Sequence, residues 1–473
     1  MSSDLEDPRS IGARLDQLPW SRTHTTILFT LGAGWLFDSF EVQLFSSAVG
    51  PLGDTFRASV FARDAVLAVW LVGILVGALL GGGLADRFGR RRLFVLTLLW
   101  YAGFTVLTGL SPDLGSVYVL RFLAALGVGA EYAIVNAAIA EFMPARVRGR
   151  ANAVVMNFWP AGAVLAALLA YLLLNHTSVA ADVSWRYMFV LGGLLALVVL
   201  FFRRRIPESP RWLASHGRYA DAESIVSSLE RASGTSRGAR DAAACPEPPD
   251  PSLGAALREL VHVYPGRLAL GALLDLAEAF GYYGLFALLS VVVLPQVHIS
   301  QSQIPFVYII GNVGALVGGL AMSLAIDRVG RRATVTASYT SAAAGVLLLA
   351  WATATGSAGW VTAAFVVANA AATAAWTSAY PTFTELFPTH LRGAGVGTSV
   401  AVGRVGAIVG TLLLPTLAAS MGATVSYALV AVFWLVGVAA MAIFSATGGP
   451  EAARSPLERV NRVTALAGIG KQP

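Results

Sequence analysis

The sequence predicts an all-α polytopic membrane protein, with twelve transmembrane helices built as two pseudo-symmetric six-helix bundles. Three observations predict it. Of 473 residues, 56% are apolar and 13% charged, against roughly 45–50% and a quarter in an ordinary soluble domain. The apolar residues come in runs of about 20, the length that crosses a bilayer. The arginines sit mainly between those runs.

The elements follow in chain order. Residues 1–23 form a polar N-tail whose Asp4, Glu6 and Asp7 precede any apolar run. A signal peptide has a basic start instead, so the first span is expected to stay in the mature protein. Spans are expected near 24–49, 64–84, 93–110, 114–139, 151–174 and 186–203, the first bundle. Residues 204–263 form a charged loop, with an amphipathic stretch from Pro210 to Ala232 and a turn-rich run from Pro246 to Pro251. The second bundle, 264–446, holds spans near 266–294, 304–326, 333–352, 359–380, 394–419 and 424–445. Residues 447–473 are a polar C-tail. With the N-terminus inside, most of the 33 basic residues fall in cytoplasmic segments, as the positive-inside rule requires. Both termini are then cytoplasmic, in a multi-pass protein of a plasma membrane, the inner membrane of a bacterium.

Composition excludes other classes. The only lysine is Lys471, so there is no P-loop lysine and no lysine within a span for a Schiff base. A single cysteine, Cys245, excludes disulfides and thiolate metal cages. The six histidines never cluster. No metal site, cofactor or nucleophile–base constellation is expected, and the chain reads as no enzyme. The net charge of +6 lies in loops beside spans, so lipid rather than nucleic acid is the expected surroundings, for a chain acting as a monomer.

The halves repeat. Gly82-Gly-Leu-Ala-Asp86-Arg87-Phe-Gly89-Arg90-Arg91 matches Ser323-Leu-Ala-Ile-Asp327-Arg328-Val-Gly330-Arg331-Arg332 at an offset of 241 residues. Glu141-Phe-Met-Pro144-Ala-Arg-Val-Arg148-Gly149 matches Glu385-Leu-Phe-Pro388-Thr-His-Leu-Arg392-Gly393 at 244. Asp38-Ser-Phe-Glu41 matches Asp275-Leu-Ala-Glu278 at 237. Two parallel six-span halves with a site between them near mid-membrane are the plan of many secondary transporters.

These motifs resemble the major facilitator superfamily over essentially the whole chain. The Gly-x-x-x-Asp-Arg-x-Gly-Arg-Arg element carries the resemblance most strongly. Pro207-Glu208-Ser209-Pro210-Arg211-Trp212 resembles the sugar-porter branch, and Asp38-Ser-Phe-Glu41 the aromatic-acid and nicotinate proton symporters. Physically, Gly89 and Gly330 permit tight backbone after a helix end. Asp86 and Asp327 can pair with arginines or with a helix N-terminus. Glu141 with Arg148, and Glu385 with Arg392, are expected to close a charge cage that holds one access state. The plainer reading of these arginines, Arg87, Arg90, Arg91, Arg328 and Arg331 among them, is that they only set topology.

Ionisable groups within spans cost several kcal/mol and are functional candidates: Asp38, Glu41, Arg121, Glu131, Asp275, Glu278 and Arg404. Asp-x-x-Glu at i,i+3 puts both carboxylates on one helix face. At about 1.5 Å per residue, Asp38 lies about 21 Å in from the inner side and Arg121 about 10 Å from the outer. Across a core of about 30 Å these depths nearly coincide, which allows an Asp38–Arg121 pair. The sugar-porter resemblance implies that pair couples protons to transport. Glu278 and Arg404 share a level in the second half. Asp275 and Glu278, toward the inner end of their span, also fit an intracellular gate.

Aromatic residues gather on candidate cavity helices: Trp35 and Phe40, Trp159, Tyr282 and Tyr283, Trp376 and Tyr380. The glutamine-rich element of the sugar branch is replaced by Glu278-Ala-Phe-Gly-Tyr-Tyr-Gly. Rings and charge suit a small carboxylate, aromatic ones included, better than a polyol. The leading expectation is proton-coupled uptake of a small organic anion such as an aromatic acid or nicotinate, with the proton as coupling ion. The alternatives are a sugar or polyol symporter, a proton-coupled drug exporter, and a non-transporting receptor on the same fold.

Overall fold

A computed structural model describes residues 10–175, 181–203, 206–235, 252–299, 304–457 and 459–460. Asp4, Glu6, Asp7, His176, Cys245, the Pro246–Pro251 run and Lys471 lie outside them.

Among the described residues every regular element is a helix. A short α1 (Ile11–Gln17) precedes the first bundle: α2 (Arg22–Thr55), α3 (Val60–Phe88), α4 (Arg90–Gly109), α5 (Leu114–Phe142), the fifth span split into α6 (Arg148–Met156) and α7 (Phe158–Asn175), and α8 (Ala181–Arg203). The linking segment holds α9 (Pro210–Ser215), α10 (Tyr219–Ala232) and α11 (Leu253–Val263). The second bundle is α12 (Pro265–Leu288), a π-turn at Leu289–Val293 with α13 (Leu294–Gln296), α14 (Ile304–Val329), α15 (Arg331–Ala354), α16 (Ala358–Leu386), α17 (Arg392–Met421) and α18 (Ala423–Ala446).

Eleven of the twelve expected spans are long and apolar enough to cross a membrane among the described residues. The remaining one, α2, has 34 residues, ample length, and carries Asp38 and Glu41 in its middle. Exposed apolar side chains such as Leu96, Phe201, Val317 and Ile443 clothe the outside, as a lipid environment requires. The expected amphipathic stretch is broken into α9 and α10 at Gly217, whose φ of 72° favours glycine. The linker's α11 and the tail's α1 were not expected.

Packing repeats between the halves. In the first, α3 lies on α5, α2 on α7 and α8, and α4 on α8; in the second, α14 lies on α16, α12 on α17 and α18, and α15 on α18. The halves meet mainly where α3 crosses α17 and where α14 crosses α6 and α7. The glycine rows on α3, α14 and α17 face α5, α16 and α12 at backbone distance, the close approach that small residues allow. Where α17 meets α3, a Cβ on Gly393 would strike the Gly82 carbonyl and the Asp86 carboxylate.

Candidate functional site

Two charge cages close the arginine-rich end. Gly89 (φ 92°) and Gly330 (φ 97°) turn the chain identically after α3 and α14. This places Arg90 and Arg331 at the starts of α4 and α15. Arg90 donates to Asp86 and to Glu141, both at 2.8 Å. Arg331 donates to Asp327 at 2.7 Å and to Glu385 at 2.8 Å. Each aspartate then reaches across to the other half. Asp86 accepts from the N–H groups of Gly393 (3.1 Å) and Ala394 (2.9 Å), opening α17. Asp327 accepts from the Arg150 N–H at 2.8 Å, opening α6. The positive end of a helix favours such anions.

The expected pairs within each motif are replaced by longer-range ones. Glu141 is held by Arg90 and by Arg392 of the other half, at 3.2 Å, rather than by Arg148. Glu385 is held by Arg331 rather than by Arg392. Arg148 donates to Asp16 of α1 and to the Ser455 carbonyl. The reason is local: Arg148 and Arg392 stand at the starts of α6 and α17 and turn back on the Met143 and Phe387 carbonyls, so their remaining N–H groups point across the interface. Arg87, Arg91 and Arg328 are exposed. Two residues that sequence reasoning passed over complete them. Glu208 accepts from the Arg90 N–H at 2.9 Å and Glu451 from the Arg331 N–H at 3.0 Å. Pro207-Glu208 and Pro450-Glu451 stand 243 residues apart, a fourth copy of the repeat, visible in the sequence.

Deeper in the first half lie three carboxylates and two guanidinium groups. Arg121 is fully buried and donates to Glu41 at 2.6 Å, beneath the rings of Trp70 and Phe189 at 5.7 and 5.4 Å. Thr105 also donates to that carboxylate. The expected Asp38–Arg121 pair is therefore a Glu41–Arg121 pair. Glu41, one turn further along α2 and one methylene longer, captures the arginine. Glu131 pairs with Arg203 through both carboxylate oxygens; Arg203 reaches inward rather than joining the loop. Asp38, 1% exposed, lies among Glu131, Arg203, Glu41 and Tyr101 and has no guanidinium of its own.

The second half differs. Arg404 of α17 donates to the Tyr283 hydroxyl at 3.1 Å and stands 3.7 Å from Asp275, beyond hydrogen-bond range. It lies over the rings of Tyr132 and Tyr283 at 5.2 and 5.4 Å, as cation–π pairs do. Asp275 and Glu278 thus lie beside Arg404.

Between the halves lies a pocket lined by Tyr132, Trp159, Glu278, Tyr282, Tyr283, Trp376 and Arg404. Trp35 packs edge-on against Tyr132, Trp159, Trp376 and Tyr380. Of the expected cavity aromatics, Trp159, Tyr282, Tyr283 and Trp376 line it. Phe40 packs instead with Leu44, Ala48 and Trp185 inside the first bundle. Tyr132, next to Glu131, was missed; it sits one side of the helix away and has both Asp38 and Arg404 as electrostatic neighbours. Within 252–457 and the first bundle, no group of three metal-ligating side chains occurs among the described residues.

Two repeated bundles, charge cages that join them at one end and a central polar pocket define a transporter of the major facilitator fold. Residues 43–464 match the family model described as sugar (and other) transporter, and the chain belongs to that family. It is 28% identical over 416 residues to the niacin transporter NiaP of Acinetobacter baylyi, covering 85% of this chain and 89% of that protein. It is 26% identical over 435 residues to the inner membrane metabolite transport protein YgcS of Escherichia coli, covering 90% and 92%. The solved structure of the proton:xylose symporter XylE bound to 6-bromo-6-deoxy-D-glucose superposes with a TM-score of 0.77 at 21% identity, over 93% of this chain and 99% of that one.

Proposed function

We propose that this transporter takes up a small aromatic carboxylate together with protons by alternating access. It does so in a bacterial inner membrane, with the arginine-rich end and both termini in the cytoplasm. The observation that carries the reading is Arg404: a buried guanidinium at the cavity wall that donates to a tyrosine hydroxyl and stands 3.7 Å from Asp275. Such a group is a ready anchor for a carboxylate, and the surrounding rings suit an aromatic body. The niacin transporter among its relatives supports the same chemistry. The sugar or polyol alternative rests on the XylE likeness. The seven lining residues include no asparagine or glutamine, which a polyol pocket would use.

Proton coupling rests on a charge count. The first half buries Asp38, Glu41 and Glu131 against Arg121 and Arg203. An unpaired charge in a dry interior is costly, so the surplus carboxylate, Asp38, is the group that takes up and releases a proton. Tyr132 lies between Asp38 and Arg404, which links that event to the cavity. With the cages closed, the cytoplasmic end is shut, and opening it breaks Glu141–Arg392 and frees Asp86 from α17.

The test is uptake into proteoliposomes under an imposed pH gradient, with nicotinate, benzoate, xylose and a cationic dye as candidates. An inwardly directed proton gradient should drive accumulation of the aromatic acids, and a protonophore should abolish it. Uptake indifferent to the gradient would remove proton coupling. Accumulation of xylose alone would replace the substrate class.

A further inference from the structure

The cavity holds a second polar group that anion binding does not use. Glu278 is 3% exposed, and what exposure it has opens on the cavity it lines. No hydrogen bond or ion pair reaches its carboxyl among the described residues. The charged and titratable groups around it are Asp275, Tyr282 and Tyr283 on its own helix, Arg404 on α17, Tyr132 on α5, Tyr339 on α15 and Tyr380 on α16. Arg404 is therefore the one cation facing two acids, and Asp275 is drawn up to it at 3.7 Å. A substrate carboxylate entering this layer adds a further negative charge.

We infer that the cavity reads an aromatic acid at two points: the carboxylate on Arg404, and a ring hydrogen-bond acceptor, such as a pyridine-type nitrogen, on a proton carried by Glu278. This rests on the aromatic-carboxylate reading above and narrows it to heteroaromatic acids. The proton comes from water as the substrate binds. It lies in a hydrogen bond between the carboxyl oxygen and the ring nitrogen, and it leaves with the substrate or returns to water on release. No covalent bond forms. Whichever of the two atoms holds the proton, the total charge in the cavity is the same. An acid without a ring acceptor leaves the Glu278 carboxyl unsatisfied in a buried site, which is penalised more than a missing surface contact.

The test is titration calorimetry on the full-length protein in detergent, with nicotinate and with benzoate, which differ in the ring nitrogen. Repeating each in buffers of different ionisation enthalpy counts protons taken up on binding. Wild type should bind nicotinate roughly tenfold more tightly than benzoate and take up about one more proton with it. Glu278→Gln, whose amide N–H also donates, should keep the preference and lose the extra proton. Glu278→Leu should lose both. Equal affinities and equal proton uptake in wild type would overturn the inference while leaving the aromatic-carboxylate reading in place, and need no variant to fold. If wild type binds neither acid, the parent reading falls and this one with it.

Discussion

The two halves are near copies at the arginine-rich end and unlike in the middle. At that end, Asp86, Arg90, Glu141 and Glu208 are answered by Asp327, Arg331, Glu385 and Glu451, with ion pairs of 2.7–2.8 Å in both. In the middle, the first half ties Arg121 and Arg203 directly to Glu41 and Glu131. The second leaves Arg404 on a phenol and 3.7 Å from Asp275. Symmetry survives in the cages. It is broken around Arg404, the group that the proposed function assigns to the substrate carboxylate. The saturated half holds itself together, and the unsaturated half faces the cavity.

Several experiments would break or sharpen that contrast, beginning with the largest effect. Glu41→Ala takes from the fully buried Arg121 the carboxylate it is paired with and should destabilise the folded protein by about 3–5 kcal/mol. Asp275→Ala should cost far less, because Glu278 remains to balance Arg404. Thermal unfolding in detergent measures both, and equal losses would erase the distinction. Next, Arg404→Ala should weaken binding of an aromatic carboxylate roughly 10–100-fold, the range of a charge-assisted hydrogen bond. Unaltered affinity would make Arg404 a structural cation like its counterparts. Asp38→Asn should leave substrate counterflow within about twofold and abolish accumulation driven by a pH gradient, as expected of the surplus acid; full accumulation would move the proton elsewhere.

The smallest effect lies outside the membrane. Arg14 of α1 donates to Glu223 at 2.5 Å and to Glu230 at 2.9 Å on α10, and Ile11 and Leu15 pack against Trp212 and Val226. The Arg14 hydrogen bond holds the Glu223 carboxyl below the usual glutamate range. A depressed carboxyl contributes stability that is present above its unfolded pKa and lost as pH falls through the folded one. Docking of α1 should therefore be intact at neutral pH and loosen in acid below about pH 4.5. Protease access to Arg14 reads this, and Glu223→Gln should flatten the pH profile.

Much of this was legible in the sequence. The repeat located the cages, and the charge-in-span rule found seven of the eight central ionisable groups; Arg203, at the end of its span, was read with the loop. The pairings were less legible, for physical reasons. Counting depth along a helix presumes a known starting level, but α2 runs for 34 residues, well beyond the roughly 20 needed. Asp38 and Glu41 are one turn apart and cannot be told apart that way. Glu141–Arg392 joins residues 251 apart in sequence, and a motif read within one half has no view of a partner in the other. Phe40 shows the same limit: its level suited the cavity, but its side of α2 did not.

The crowding of indoles at the cavity has an optical consequence. The ring centres of Trp35, Trp159 and Trp376 lie 5.5–5.9 Å apart, and these three are among 11 tryptophans in the chain. Excitation absorbed by any one of them is shared by the group, so a guest that quenches one dims them all. Intrinsic fluorescence should therefore follow occupancy in unlabelled protein, turnover by turnover.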